Sequence, residues 1–297
     1  MFLVSVPATS ANVGAGFDCL GLALSMRGNF TFRPLEHGLV IKGCDPKYCT
    51  KDNLVYLAFE RTMNFIGTPI SGVEITIDCA IPLQRGLGSS AACIAAGAFG
   101  ANALSGFPLS KETLFAICTE MEGHPDNVAP AIFGGLTLSF MNGDSPIAVP
   151  YSVHESLHFM AVVPETTIST NEARTILPKQ LSYQDAVFNI GHCAAFLKGL
   201  ETGNADLIRL AAGDRLHEPY RKQLIPEYDR AAQLCEQYQA LSLLISGSGS
   251  TLLMISDTEE CLRNIEQQLQ REFPSITCHF LCVEQEGTIV TEQSPNE

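Results

Sequence analysis

The spacing of apolar and polar residues predicts a first half built from short strands and separate helices. Residues 72–78 alternate apolar Val73, Ile75 and Ile77 with polar neighbours, which is typical of a half-buried strand. Three further short segments are rich in β-forming residues: 2–6, 29–33 and 39–43. The first half is therefore expected to form a sheet.

Three helices are predicted between and after these strands. Residues 54–65 carry apolar side chains at helical spacing, and Asp52 or Asn53 can cap the start. Residues 90–104 are rich in alanine and small residues, which favours a helix packed closely on a sheet. A third helix starts after Ser110, a capping residue, and has the apolar stripe Leu114, Ile117, Cys118 and Met121.

The second half is expected to begin at residue 156, after a proline-containing connection at 144–151. Its pattern predicts strands at 157–163, 241–245, 251–255 and 276–283, and helices at 183–200, 226–238 and 259–271. This order is the split βαβ pattern of a ferredoxin-like domain with extra helices inserted. We predict an α+β protein with domains at 1–155 and 156–297, and a frayed polar tail at 286–297.

Composition fits a folded chain of two domains that share a cleft. The chain has 297 residues, of which 46% are hydrophobic and 17% charged. Its net charge of -14 and the absence of a basic run argue against a nucleic-acid partner. An anionic ligand would need local positive potential from backbone amides, a metal or isolated arginines.

The 11 cysteines are scattered between Cys19 and Cys282 without a Cys-x-x-Cys pair. Buried, reduced thiols are the expectation, although Cys44 and Cys49 are spaced closely enough to form a disulfide or to bind metal. Residues 1–7 are too short for a signal sequence, and no apolar run reaches membrane-spanning length. We expect a cytoplasmic protein.

One glycine-rich segment carries the clearest chemical signal, because it runs directly into the helix predicted at 90–104. Its glycines let backbone N–H groups approach an anion, and the helix N-terminus adds unpaired donors and positive dipole. It lacks the Lys of a Walker A loop and the dinucleotide fingerprint, so a phosphate cradle or a tight structural turn remains. The segment is Pro82-Leu83-Gln84-Arg85-Gly86-Leu87-Gly88-Ser89-Ser90-Ala91-Ala92.

This segment resembles the phosphate-binding motif of the GHMP kinases, a superfamily named for galactokinase, homoserine kinase, mevalonate kinase and phosphomevalonate kinase. Residues 7–18, from Pro7 to Asp18, resemble its first motif, and Ser246-Gly247-Ser248-Gly249 its third. Each alone could be an ordinary turn or hairpin. The resemblance implies ATP binding by Pro82 to Ala92 and a two-domain GHMP kinase fold. Its first domain would be mixed α/β, with a left-handed crossover at the phosphate loop, and its second ferredoxin-like.

The first motif and the segment Glu122-Gly123-His124-Pro125-Asp126-Asn127 resemble the homoserine kinases within this superfamily. The resemblance implies phosphorylation of the side-chain hydroxyl of L-homoserine, a step of threonine biosynthesis, and a homodimer is plausible by the same comparison. It implies that the amino acid substrate is held by Asn12, Asp18, His124 and Asp126. Carboxylates complement the ammonium group of such a substrate, although Asp126 could instead cap a helix at 127–133.

Two arginines are the candidates for the substrate carboxylate. Arg174 in residues 170–174 and Arg221 in residues 217–221 lie in segments that resemble the carboxylate-binding segments of the family. A planar guanidinium suits a two-point grip on a carboxylate. Without the resemblance, both would be read as ordinary surface arginines.

The resemblance also suggests ligands for Mg²⁺ and for the base of ATP. Glu120 resembles the metal-binding glutamate of the family, with Glu122 as its rival, and the Ser89 hydroxyl can provide a second contact. Asn53 resembles an asparagine that contacts the adenine, although capping of a helix explains it nearly as well.

The position of a catalytic base in related mevalonate kinases is taken here by Asn127, which cannot accept a proton. The resemblance thus implies catalysis by positioning and electrostatics, with roles for Asn12, Glu120, Asp126 and Arg174. Two alternatives stay open: another GHMP kinase that acts on mevalonate or a sugar, and a non-catalytic sensor that binds ATP.

Overall fold

The computed structural model describes residues 1–68 and 71–294, which form two sheets with helices packed on them. The strands are β1 Phe2–Ala11, β2 Leu20–Leu35, β3 Gly38–Lys42, β4 Gly72–Cys79, β5 Leu136–Asn142, β6 Ser145–Tyr151, β7 His158–Val163, β8 Ser242–Ile245, β9 Leu252–Ser256, β10 Thr277–Leu281 and β11 Ile289–Glu292. The helices are α1 Leu54–Ile66, α2 Ser89–Leu104, α3 Lys111–Glu122, α4 Val128–Phe133, α5 Thr170–Thr175, α6 Tyr183–Thr202, α7 Ala205–Ala211, α8 Glu218–Arg221, α9 Tyr228–Tyr238 and α10 Glu259–Glu272.

The first sheet has seven strands and contains the N-terminal half of the chain. Its main path is β11-β1-β2-β4-β3, and the long strand β2 also pairs with the β5-β6 hairpin. All pairs are antiparallel except β3 with β4. The strands predicted at 39–43 and 72–78 are confirmed as β3 and β4, whereas those predicted at 2–6 and 29–33 are parts of the longer strands β1 and β2.

The predicted helices begin at the capping residues that the sequence offers. The Asn53 side chain accepts a hydrogen bond from Val55 N at the start of α1, and Ser110 accepts one from Thr113 N at the start of α3. Helix α2 is covered on most of its surface, because small side chains let α1, α3 and β1 approach it closely. The alanine-rich segment is therefore the central helix of the first half.

The second sheet has the order β10-β7-β9-β8 with every neighbouring pair antiparallel, which is the strand order of a ferredoxin-like fold. Side chains alternate between its faces, so Met160 and Met254 pack against α9 and α10, while Phe159 and Leu253 join the core of the first half. The two-domain α+β fold predicted from the sequence is confirmed. The exact boundary at 155 and 156 and the left-handed crossover stay predictions.

Two sequence predictions were wrong. Residues 144–151 were expected to be a connection, but β6 pairs along its length with β5; Pro146 and Pro150 are tolerated because β6 has no second partner among the described residues. Part of the expected frayed tail is β11, whose residues Ile289 to Glu292 pair with Phe2 to Ser5. The chain thus returns to the first sheet, and residues 295–297 of the predicted tail lie outside the described residues.

No helix in the described ranges, 1–68 and 71–294, has both the length and the apolar character needed to cross a membrane.

Candidate active site

The three motifs, which are far apart in the sequence, are joined by hydrogen bonds in the structure. The Ser246 hydroxyl donates to the Gly86 carbonyl at 2.6 Å and lies 2.8 Å from the Ser10 hydroxyl. Gly247 N donates to Ala11 O at 3.1 Å, so the third motif contacts both of the others. These contacts bring the two halves of the chain to one site.

The glycine-rich loop can form only because two of its residues lack a side chain. Gly86 and Gly88 have φ of 77° and 68°, and a Cβ on either would lie about 2 Å from a neighbouring oxygen, Ser246 O or Thr9 Oγ1. Gly88 is also the N-cap of α2, whose first N–H groups have no acceptor within the helix. The loop therefore presents donors and positive dipole to an anion, as the sequence predicted for its geometry.

A cavity of about 270 Å³ opens in front of this loop, and we call it the polar cavity. Both halves of the chain line it. Its predicted site residues are Asn12, Asp18, Gln84, Gly86, Gly88, Ser89, Ser90, His124, Asp126, Arg174 and Arg221. Every substrate-binding residue predicted from the sequence thus faces one space.

Asn12 joins two motifs from a buried position on the cavity wall. Its Nδ2 donates to Gly247 O at 2.8 Å, and its Oδ1 accepts from Asp18 N at 3.0 Å. Its φ of 71° is one of the few left-handed conformations taken by a residue other than glycine. Asn12 therefore fixes the backbone that presents Asp18, whatever contact it makes with a substrate.

The carboxylate of Asp126 is buried and held by two donors. His124 Nδ1 lies 2.5 Å from Asp126 Oδ1, and the same oxygen accepts from Asn127 N at 2.9 Å. The hydrogen bond to Asp126 raises the pKa of His124, which favours an ion pair between them. The second oxygen of Asp126 is left for another partner, such as an ammonium group.

Two arginines meet on the side contributed by the second half of the chain. Arg174 on α5 makes a two-point contact with Asp18, and Arg221 on α8 donates to Ala173 O and Gly247 O. Arg221 is 2% exposed, and no carboxylate lies within 4.0 Å of it in the described part of the chain. Burial, followed by repulsion from Arg174, lowers the pKa of Arg221 to about 10. A buried cation of this kind is complementary to an anionic ligand.

Glu122, not Glu120, is the glutamate in the polar cavity, so the geometry favours Glu122, the rival of the Glu120 predicted from the sequence, as a metal ligand. Residues two apart on α3 point in nearly opposite directions, so the Glu120 side chain is 65% exposed and binds Arg61 at 2.9 Å. Glu122 lies 2.6 Å from Ser90 Oγ, and burial raises its pKa despite that hydrogen bond. A carboxylate beside the hydroxyls of Ser89 and Ser90 is an oxygen donor set that suits Mg²⁺.

A second cavity of about 490 Å³ adjoins the first at Gln84, Ser89 and Ser90, and we call it the apolar cavity. Asn53 lines it, but its Oδ1 accepts from Val55 N as the cap of α1 and its Nδ2 donates to Tyr48 O, so the adenine contact stays a prediction. The walls are largely apolar: Leu54, Val55, Ile77, Cys79, Ile81, Leu83 and Cys93. A flat, uncharged ring could occupy this space while an attached phosphate chain reached the loop.

Five residues of the predicted ATP-binding segment line neither cavity: Pro82, Arg85, Leu87, Ala91 and Ala92. Leu87, Ala91 and Ala92 are fully buried in the core, and the Arg85 guanidinium donates to Pro164 O at 2.6 Å. Their side chains anchor the loop to its surroundings. Any contact they make with a phosphate would therefore come from the backbone.

The cysteines are less buried than predicted. Only Cys118, Cys235 and Cys261 are buried, and Cys49 and Cys282 are exposed. Cys44 and Cys49 are unbonded, with their Sγ atoms 3.7 Å apart, and Cys44 lines the apolar cavity. Residues 1–68 and 71–294 contain no group of three or more His, Cys, Asp or Glu side chains arranged to hold a metal ion.

The sequence assigned no function to several residues that line the polar cavity, among them Ile168, Ser169 and Thr170. Thr170 and Arg174 are one helical turn apart on α5, so the spacing to a predicted arginine was a usable signal. Asn127 accepts a hydrogen bond from Thr9 through its Oδ1 at 2.8 Å, which no sequence pattern reveals.

Comparisons with known proteins identify what this architecture is similar to. The family model described as "GHMP kinases N terminal domain" matches residues 53–135, and "GHMP kinases C terminal" matches residues 195–275. A homoserine kinase of Clostridium botulinum, strain 657, is 39% identical over 295 residues, or 99% of both chains. A homoserine kinase of strain Eklund 17B is 39% identical over 91% of this chain and 92% of its own.

Solved structures agree with these relatives. The crystal structure of homoserine kinase from Cytophaga hutchinsonii matches with a TM-score of 0.88 and 31% identity, covering 98% of this chain and 97% of that one. The mevalonate kinase of L. major, solved with R-mevalonate, matches with a TM-score of 0.72 at 17% identity, covering 95% and 96% of the two chains. The latter similarity concerns the fold alone.

Proposed function

The chain belongs to the GHMP kinases, and from that premise we propose that it transfers the γ-phosphoryl group of ATP to the side-chain hydroxyl of L-homoserine. The products are O-phospho-L-homoserine and ADP, and the reaction would serve threonine biosynthesis. One observation carries the choice of substrate. Two arginines meet the carboxylates of Asp18 and Asp126 in the polar cavity, directly in front of the glycine-rich loop.

This arrangement supports a zwitterion held at both ends. Arg174 and Arg221 would bind the substrate carboxylate, while Asp18 and Asp126 would bind its ammonium group. Mevalonate has a carboxylate but no ammonium group, and sugars have neither. The paired carboxylates therefore favour an amino acid over the other acceptors of the superfamily.

We infer that ATP would lie across both cavities, with its base in the apolar cavity and its phosphates on the loop between Gly86 and Ser90. Asn53 is the candidate contact for the adenine. Glu122, Ser89 and Ser90 would hold Mg²⁺, which offsets negative charge on the phosphates when it is bound. The sensor alternative is disfavoured because this oxygen donor set lies beside the proposed acceptor.

The chain contributes to the reaction chiefly by positioning the acceptor. Asn127 cannot serve as a base, and its Oδ1 already accepts from Thr9. Asp126 is held by His124 and Asn127 N, so we assign it to the ammonium group. We propose that the hydroxyl proton passes to the transferred phosphate itself, without a side-chain base.

The test is an ADP-release assay with magnesium ATP and L-homoserine, alongside L-serine, L-threonine and R-mevalonate. We expect turnover with homoserine and little with the other three. Turnover of mevalonate with no response to homoserine would reject the proposal, and ATP binding without turnover of any acceptor would favour a sensor. A homodimer and a cytoplasmic location stay predictions.

A further inference from the structure

Phe17 lies close to two of the charged groups that face the polar cavity, Arg174 and Arg221. Its ring centroid is 5.2 Å from the guanidinium carbon of Arg221 and 5.9 Å from that of Arg174. Both distances fall within the range in which a cation is attracted to the electron-rich face of an aromatic ring. One ring therefore contacts both arginines proposed to bind the substrate carboxylate.

The two arginines need such a neighbour because they repel each other. Asp18 compensates Arg174 through two hydrogen bonds, whereas Arg221 is bound only to the carbonyl oxygens of Ala173 and Gly247. These carbonyls fix the direction of the Arg221 side chain without adding a full negative charge. An aromatic ring attracts both cations without forming a salt bridge that a substrate carboxylate would have to displace.

The Phe17 ring is itself held in place by a buried, neutral imidazole. His217 stacks on Phe17 with ring centroids 5.3 Å apart and planes 25° apart. The Nε2 of His217 lies 3.1 Å from Gly14 O, which ties the imidazole to the loop that carries Phe17. Burial lowers the pKa of His217 to about 4, so no third cation competes for the ring near neutral pH.

We propose that Phe17 is a positioning residue that sets the separation and direction of Arg174 and Arg221, and thereby the selectivity for a carboxylate-bearing acceptor. This inference rests on the proposed function. It concerns binding of the acceptor alone, because Phe17 lines neither cavity and acts through Arg174 and Arg221, which line the polar cavity but not the apolar one. Loss of the ring should therefore weaken homoserine binding and leave ATP binding unchanged.

The decisive variants are Phe17→Leu, which keeps an apolar side chain but removes the ring, and Phe17→Tyr, which restores a ring. For Phe17→Leu we expect the KM for homoserine to rise about tenfold, with kcat and the KM for ATP within about twofold of the parent. We expect Phe17→Tyr to recover most of the loss. A role confined to stability would change the unfolding midpoint without separating the two KM values.

Phe280 provides a matched control, because the Arg263 guanidinium lies 4.7 Å from its ring centroid. Phe280 is on β10 of the second sheet, and neither residue lines either cavity. Phe280→Leu removes a comparable cation–aromatic contact and should leave the KM for homoserine unchanged. Three results would each overturn the inference: an equal rise in the KM for homoserine in Phe280→Leu, an unchanged KM in Phe17→Leu, or no recovery of the KM in Phe17→Tyr. If the parent enzyme does not phosphorylate homoserine, the proposed function fails and the inference fails with it.

Discussion

Arg174 donates two hydrogen bonds to Asp18, at 3.0 and 2.9 Å, and this contact joins α5 of the second half to the loop that follows β1. The two residues are 156 positions apart in the sequence, yet both line the polar cavity. Each side chain compensates the charge of the other. A zwitterionic acceptor can replace this contact with its own ammonium and carboxylate groups.

We predict that Arg174→Met raises the KM for homoserine by roughly 100-fold, since it removes a two-point contact with the carboxylate. Arg174→Lys should fall between the parent and Arg174→Met, because the charge remains but the planar fork is lost. Steady-state kinetics with each substrate varied in turn measures the effect. An equal rise in the KM for ATP would indicate a general disturbance and contradict the assignment.

The sequence identified this pair because each residue lies in a segment that resembles a family motif, but their contact required the fold. Asn12 was predicted as a substrate ligand, and its bridge between the first and third motifs was invisible in the sequence because Gly247 is 235 positions away. The choice between Glu120 and Glu122 also depended on which side of α3 faces the loop. The local sequence pattern was enough to predict the helices, the strands and the motifs. The direction of each side chain depends on tertiary packing, which the pattern does not reveal.

The two strands that were not predicted from the sequence, β6 and β11, show the same limit of the local pattern. The segment Asn142-Gly143-Asp144-Ser145 carries a hairpin signal, and Gly143 does adopt a φ of 62° between β5 and β6. Pro146 and Pro150 obscured it, because prolines are rare in strands that pair on both sides. Strand β11 contains the β-forming residues Ile289, Val290 and Thr291, and its polar surroundings led to the prediction of a frayed tail.

Glu122 and Glu120 form a natural pair of variants for the proposed Mg²⁺ site. We predict that Glu122→Gln lowers kcat by about 100-fold or more and raises the Mg²⁺ concentration needed for half-maximal activity. Glu120→Gln should have little effect, because an exposed pair such as Glu120 with Arg61 contributes at most about 1 kcal/mol. Activity measured over a range of Mg²⁺ at saturating ATP separates the two. A larger loss of activity in Glu120→Gln than in Glu122→Gln would support Glu120 as the metal ligand, as predicted from the sequence.

Gly86 and Gly67 allow backbone strain to be separated from a steric clash. Both have a positive φ, but a Cβ on Gly86 would lie 2.1 Å from Ser246 O, whereas no atom of residues 1–68 or 71–294 lies within 4 Å of one on Gly67. We predict that Gly67→Ala lowers the free energy of unfolding by about 1 kcal/mol and leaves the kinetics unchanged. Gly86→Ala should cost more stability and raise the KM for ATP at least about tenfold, since it separates the second and third motifs. Urea unfolding and ATP kinetics on both variants provide the check, and identical kinetics would contradict the role of the loop.

Asp126→Asn tests whether a side chain accepts the hydroxyl proton. The amide keeps the size of the side chain and an oxygen that can accept from Asn127 N, but it removes the charge that would bind an ammonium group. We predict a KM for homoserine raised by roughly 30-fold or more and a kcat at saturating homoserine within about tenfold of the parent. A kcat reduced by several orders of magnitude with an unchanged KM would identify Asp126 as the base instead.

The ion pair of His124 with Asp126 should make the stability of the protein depend on pH. The hydrogen bond to Asp126 raises the pKa of His124 above its ordinary value of 6.5, so the folded state binds the proton more tightly than the unfolded state. The stabilisation is fully present below pH 6.5 and is lost as the pH rises through the raised pKa.

The difference in free energy of unfolding between the parent and His124→Gln should therefore be largest at pH 5.5 to 6 and should shrink toward alkaline pH. Urea unfolding at several pH values measures it, with His37→Gln as a control for removal of an exposed histidine. A difference that grows with pH would mean that the imidazole is held neutral, and the proposed pair would then be a hydrogen bond between an uncharged ring and the carboxylate.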